Sequence, residues 1–146
     1  MLKIIKEDLI DHVKEYDAVL VAANLYSSML EGFAYDVKSQ YPYVYEDNLK
    51  FPYGDTSKYG TVVESTREDQ PIFALCYIFA INTNPKTIKC TLNYEALENC
   101  LKVVNVLYKN KHIISPNKIN KLPSKWYIIK DKIVSTANIH RIFITE

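Results

Sequence analysis

The chain has 146 residues, 48% of them apolar and 24% charged, with 18 Lys and Arg against 17 Asp and Glu for a net charge of +1. This composition excludes an intrinsically disordered chain, and the near-neutral balance excludes the strongly basic face of a dedicated duplex-DNA binder. No apolar run approaches the ~20 residues of a membrane span, and the opening MLKIIKEDLIDH carries acids too early for a secretory signal. The length suits one domain, 1–146, that buries roughly 70% of its unfolded surface and needs no metal or disulfide staple.

In chain order, Leu2–Ile5 is a short strand and Asp8–Tyr16 a polar connection or helical turn. Asp17–Asn24 (DAVLVAAN) is a continuous apolar run with polar ends, the pattern of a strand buried on both faces. From Glu31, residues Phe33, Ala34, Val37 and Tyr41 recur at helical spacing, and Pro42 closes that helix. Residues 42–58, rich in Tyr, Pro, Asp and Asn, read as an irregular connection. Gly60–Ser65 and Ile72–Ile81 read as two strands of a central hairpin turning at Arg67–Pro71, since both are rich in β-branched and aromatic residues.

Asn93 precedes the strongest helix, where Leu97, Cys100, Leu101, Val104 and Tyr108 fall on one face and Lys109 and Lys111 suit its C-terminal dipole. Lys111–Ser115 is a strand, Ser124 caps a helix that buries Trp126, Ile129 and Ile133, and Ile142–Thr145 is the last strand. The alternation of strands and helices predicts a three-layer α/β/α domain with a mixed, mostly parallel central sheet. Cys76, Cys90 and Cys100, with His12, His112 and His140, form no metal-ligand spacing, so the cysteines read as buried thiols of a protein in the reducing cytoplasm. Only three glycines are present, although phosphate-binding loops usually rely on that residue.

Several stretches resemble the macro domain family, whose members bind ADP-ribose and its derivatives. KIIKEDLIDHVKEYDAVLVAAN is similar to that family's first strand, tight turn and second strand ending in Ala-Ala-Asn. Gly32–Ala34 (GFA), LNYEALENCLKVV and IISPNKINKLPSKW resemble its first helix start, its Tyr-Glu helix start and its second phosphate loop. The resemblance is to the branch that removes ADP-ribose from carboxylates or processes ADP-ribose 1″-phosphate.

The resemblance implies a ligand site made of Asp8, Leu9, Asn24, Gly32, Phe33, Ser115, Asn117, Lys118, Ile119, Asn120, Lys121 and Phe143. Asp8 would accept a hydrogen bond from the adenine amino group, against the alternative of a surface acid opening a turn. Phe143 would stack on adenine, or else pack in the core. Asn24 would reach the distal ribose, because polar residues at the carboxyl ends of α/β strands face the ligand crevice. Lys118 and Lys121 would neutralise the diphosphate or stand as solvated loop charges.

The first phosphate loop keeps only Gly32 and has Glu31 beside it, and the second, Lys118–Leu122, has no glycine. Leu122 is followed by Pro123 where the branch has its catalytic Asp, and Phe79–Asn82 offers no lysine where the branch has one. Neither change preserves a general acid or base. Asp36, Asp55 and Lys58 remain polar groups without a role, with Lys58–Tyr59–Gly60 read as a turn entering the hairpin.

Three functions follow as expectations. The first is a module that binds ADP-ribose or a related adenine diphosphate derivative, free or on a modified protein, with no catalytic residue, metal or further cofactor. The second is a hydrolase of ADP-ribose conjugates or ADP-ribose 1″-phosphate with altered catalytic groups. The third is a scaffold for protein contacts, which twelve tyrosines would suit. A monomer that binds neither DNA nor membrane is expected. The Lys-, Asn-, Ile- and Tyr-rich composition is that of an AT-rich genome and suggests a viral or phage origin, with the host cytoplasm as its location.

Overall fold

A computed structural model describes residues 3–5, 9–24, 29, 32–51, 56–81, 90–109, 111–116 and 142–145. Strand β2 (Ala18–Asn24) lies at the middle of the sheet, as its unbroken apolar run requires. Ala18 and Leu20 pack into one core layer, and Val19, Val21 and Ala23 into the other. The remaining strands are β1 (Lys3–Ile5), β3 (Val62–Ser65), β4 (Ile72–Ile81), β5 (Cys90–Leu92), β6 (Ile113–Pro116) and β7 (Ile142–Thr145). Their order is β1-β7-β6-β2-β4-β3, with β5 also pairing to β4. Neighbours from β1 to β4 run parallel, and only β3 and β5 oppose β4. The mixed, mostly parallel sheet expected from the sequence is therefore present.

Helix α3 (Tyr94–Leu107) covers one face and fills its core layer with Leu97, Cys100, Leu101 and Val104. The Asn93 side chain accepts the Ala96 amide at 3.1 Å and starts the helix cleanly. Tyr108 caps its far end, and its hydroxyl donates to Glu64 of β3 at 2.7 Å. The opposite face is covered by a 3-10 helix at Leu9–Glu15, by α1 (Gly32–Gln40) and by α2 (Pro42–Asn48). Cys76 and Cys100 are buried free thiols in the α3 layer, as expected of them.

The expected elements need correction at residues 42–58 and at the strand before α3. Residues 42–58 are not an irregular connection, because α2 and a 3-10 turn at Thr56–Lys58 lie within them. Pro42 stands at the first turn of α2, where a missing N–H costs nothing, so it both ends α1 and opens the next helix. Strand β5 was not expected; it pairs Cys90–Leu92 with Phe79–Ile81 of β4. The β3–β4 hairpin does turn within Arg67–Pro71, where Asp69 takes a left-handed φ of 59° that short acidic side chains tolerate. The helix expected after Ser124 lies outside the described residues.

Candidate functional site

The parallel strands send their carboxyl ends to one edge, where β1, β7, β6, β2 and β4 stand side by side. From β2 the chain crosses the α1/α2 face to reach β4, and from β4 it crosses the α3 face to reach β6 on the other side of β2. The strand order thus reverses about β2. In open α/β sheets a crevice for ligands forms at such a point, outside the carboxyl ends of the strands.

Asn24 is the last residue of β2 and pairs with Phe79, and the register between β2 and β4 shifts between Ala23 and Asn24. A shift of this kind ends regular pairing and redirects the strand end. Gly32 begins α1 on the same edge, and Phe33 follows it, half-buried against the α1/α2 core layer. Ser115 is buried one residue before the end of β6. Leu9 opens the 3-10 helix after β1 and is buried in the α1/α2 layer. Phe143 sits in β7 in register with Ile114 and Lys3, two residues before the strand ends. The topology therefore gathers Leu9, Asn24, Gly32, Phe33 and Ser115 at one pole. Asp8, Asn117, Lys118, Ile119, Asn120 and Lys121 lie outside the described residues.

Lys58, left without a role by the sequence, is a buried cation near this edge. Its ammonium lies 3.1 Å from the centre of the Phe51 ring and 5.0 Å from that of Tyr77. Tyr77 pairs with Ala23, so the charge stands at the level of the carboxyl end of β2. Cation–π contact compensates part of the cost of burying an ammonium. No spacing in the sequence could have revealed it, because Phe51, Lys58 and Tyr77 meet only through the fold. Asp36 is an exposed residue of α1, and Asp55 lies outside the described residues. Among the described residues no group of His, Cys, Asp and Glu could hold a metal ion.

No protein-family model matches the chain, and no curated protein does either. Solved structures match it over almost its whole length. A protein of unknown function from Bacteroides thetaiotaomicron superposes with a TM-score of 0.81 at 17% identity, covering 99% of this chain and 97% of that one. The macrodomain of Thermus aquaticus DarG gives 0.78 at 16%, covering 100% and 98%. Thermosipho africanus DarTG in complex with ADP-ribose gives 0.71 at 19%, covering 99% of this chain and 41% of that longer one. The chain has the macrodomain fold.

Proposed function

We propose that the protein is an ADP-ribose-binding module whose ligand, or a related adenine diphosphate derivative, lies in the crevice at the carboxyl end of β2. The observation that carries this reading is the strand-order reversal at β2, with Asn24 at its end and Gly32 opening α1, inside a fold shared with a macrodomain protein that is bound to ADP-ribose. Asp8 on the adenine amino group, Phe143 against the base and Lys118 and Lys121 on the diphosphate complete the proposed pose. Pro123 and Phe79–Asn82, where an acid and a lysine would be needed, support binding without turnover.

The exposed apolar stripe Val103, Val106 and Leu107 on α3 supports a second reading, a scaffold for protein contacts. Calorimetric titration with ADP-ribose, with AMP as control and chromatography of the mixture afterwards, separates the possibilities. Binding with intact ligand is the expected result. Release of ADP-ribose from a conjugate would instead establish the hydrolase, and absence of heat with both compounds would leave the scaffold.

A further inference from the structure

Strand β3 ends the sheet order on its side, and among the described residues no strand pairs with its outer edge. The Tyr77 amide donates to the Thr61 carbonyl at 3.1 Å, so Thr61 turns its carbonyl to β4. Along an antiparallel pair, residues that bond to the partner alternate with residues that turn away from it. Val63 and Ser65, in register with Leu75 and Phe73, therefore bond to β4, and Val62 and Glu64 direct their N–H and C=O groups to the outer edge. Such an edge is open to a further strand unless something covers or blunts it.

Helix α3 continues this edge with an apolar face. Ala96 and Asn99 stand against Gly60, the Cys100 thiol donates to the Thr61 carbonyl at 3.4 Å, and the Tyr108 hydroxyl reaches Glu64 at 2.7 Å. The helix thus runs alongside β3 in the same direction. On the side that carries Ala96, Asn99 and Cys100, the next residues at helical spacing are Val103 and Leu107. They are 38% and 47% exposed, and Val106 beside them is 77% exposed. Beneath them Val62 packs into the α3 core layer. Backbone edge and apolar stripe form one surface, and Ala96, Asn99, Val103 and Leu107 bring no charge to it.

We propose that this surface pairs with the same surface of a second copy of the chain, β3 against β3 about a two-fold axis at Val63, in place of the monomer expected from the sequence. With that axis, Val62 and the partner's Glu64 exchange both backbone hydrogen bonds, and Glu64 and the partner's Val62 do the same. Every outward N–H and C=O of the two residues is then satisfied. The two Val63 side chains meet at the axis, whereas an axis at Glu64 would set two carboxylates directly opposite and is disfavoured. Val63 lies at a level between Cys100 and Tyr108 of α3, so the same axis brings the Val103 and Leu107 stripes of both copies together. The two α3 helices run antiparallel, which sets Glu95 in the first turn of one toward the last turn of the other, just before the partner's Lys109. Opposite charges and opposite helix ends adjoin. This self-complementarity of hydrogen bonds, apolar stripe and charge favours a second copy over an unrelated strand. The association does not rest on what the crevice binds.

The test is sedimentation equilibrium of the full chain without ligand from roughly 10 μM to 1 mM, the range in which a small interface associates. The mass is expected to rise from one chain to two and to stop there. Val62→Pro removes an N–H that only the partner accepts and leaves the bonds to β4 in place, as an edge strand allows. Leu107→Lys puts a charge on the stripe at an exposed position that leaves the core intact. Each should weaken the association about tenfold or more. Amide hydrogen exchange reads the strand itself: the Val62 and Glu64 amides should gain protection as concentration rises, and those of Val63 and Ser65 should be protected throughout. A chain that stays monomeric up to about 1 mM overturns the proposal and leaves the edge to another protein's strand. Growth beyond two copies, a dimer that both variants form as tightly as the natural chain, or Val62 and Glu64 amides that stay unprotected in the dimer would overturn it as well.

Discussion

The Tyr77 hydroxyl donates to Asn48 Oδ1 over 2.5 Å, a buried bond that ties the last residue of α2 to the central strand β4. The neighbouring residue makes the second tie. Asp47 accepts the Ser65 hydroxyl at 2.6 Å and a bidentate pair from Arg67 at 2.9 and 3.0 Å, with the Lys50 ammonium at 3.1 Å. Helix α2 is thus held to the sheet by polar anchors at its C-terminal end and by Val44 further along. Removing the donor in Tyr77→Phe leaves a buried amide oxygen without this bond and should cost about 1–3 kcal/mol. Adding Asn48→Ala to that variant should cost less than Asn48→Ala costs in the natural chain, because the bond between the two is already gone. Urea unfolding of the single and double variants measures the coupling.

Acid should weaken the Asp47 anchor. Its hydrogen bonds from Arg67 first, then from Ser65 and Lys50, hold the carboxyl well below the ordinary carboxylate range despite its burial. In the unfolded chain the same group titrates near 3.9, so the folded state binds the proton more weakly. The stabilisation is full above about pH 5 and is lost progressively as pH falls below ~4 toward the folded value. Asp47→Asn removes this linkage, so its melting temperature should fall less steeply than that of the natural chain between about pH 4 and 2. Asp47→Ala leaves the buried Ser65 hydroxyl without its acceptor, while the exposed Arg67 guanidinium turns to water, and should cost about 1–3 kcal/mol at neutral pH.

Alkali acts on the tyrosines. Burial pushes Tyr43 and Tyr77 up to about 12, and it raises Tyr108 with help from its bond to Glu64. An unfolded tyrosine ionises near 10. These groups therefore favour the folded state fully below pH ~10, and that contribution is lost as pH rises from 10 toward 12. Ultraviolet titration of phenolate should show a late-ionising fraction that coincides with loss of structure. Tyr43→Phe should shrink that fraction and flatten the stability curve above pH ~10.

The role of Asp47 and Asn48 also explains which elements the sequence could declare. Helix α3 announces itself because Leu97, Cys100, Leu101 and Val104 repeat at helical spacing behind an Asn93 cap, and β2 because both its faces are apolar. Helix α2 does not, since two of its inward residues are an acid and an amide whose partners lie 18 to 29 positions away. Strand β5 is three residues long and exists only through its pairing with β4. The same distinction applies to the site. Asn24 ends a strand and Gly32 opens a helix, places that the local pattern of residues declares, whereas Lys58 acquires its place from Phe51 and Tyr77.

Gly60 is where the backbone itself is demanding. Its φ is +77°, its amide donates to the Tyr77 carbonyl at 2.9 Å, and an added Cβ would stand 3.0 Å from Asn99 Cβ and 3.2 Å from Asn99 Nδ2. Gly60→Ala combines a left-handed conformation with a tight approach to α3 and should cost about 1–3 kcal/mol. Asn99→Ala removes the nearest polar atom without changing φ. In the double variant the loss should shrink only by the share due to that amide, because the Cβ at 3.0 Å remains and the left-handed conformation still costs about 1–2 kcal/mol. A full rescue would show that crowding against α3, and not the backbone, makes glycine necessary there.

The adenine pose proposed for the crevice makes its sharpest demand on Asp8. A carboxylate that accepts the exocyclic amino group distinguishes adenine from a base with a keto group at that position, because the wrong ligand presents an acceptor to an acceptor. Asp8→Ala should weaken ADP-ribose by about 1–3 kcal/mol, and Asp8→Asn by less, since an amide keeps one acceptor. The corresponding hypoxanthine ligand should bind the natural chain less tightly than ADP-ribose and lose that disadvantage in Asp8→Asn, whose amide can donate to the keto group. Calorimetry on the two ligands and the two variants reads all these differences. Equal affinity of the natural chain and Asp8→Ala for ADP-ribose would remove Asp8 from the base and leave the crevice to recognise its ligand through ribose and diphosphate alone.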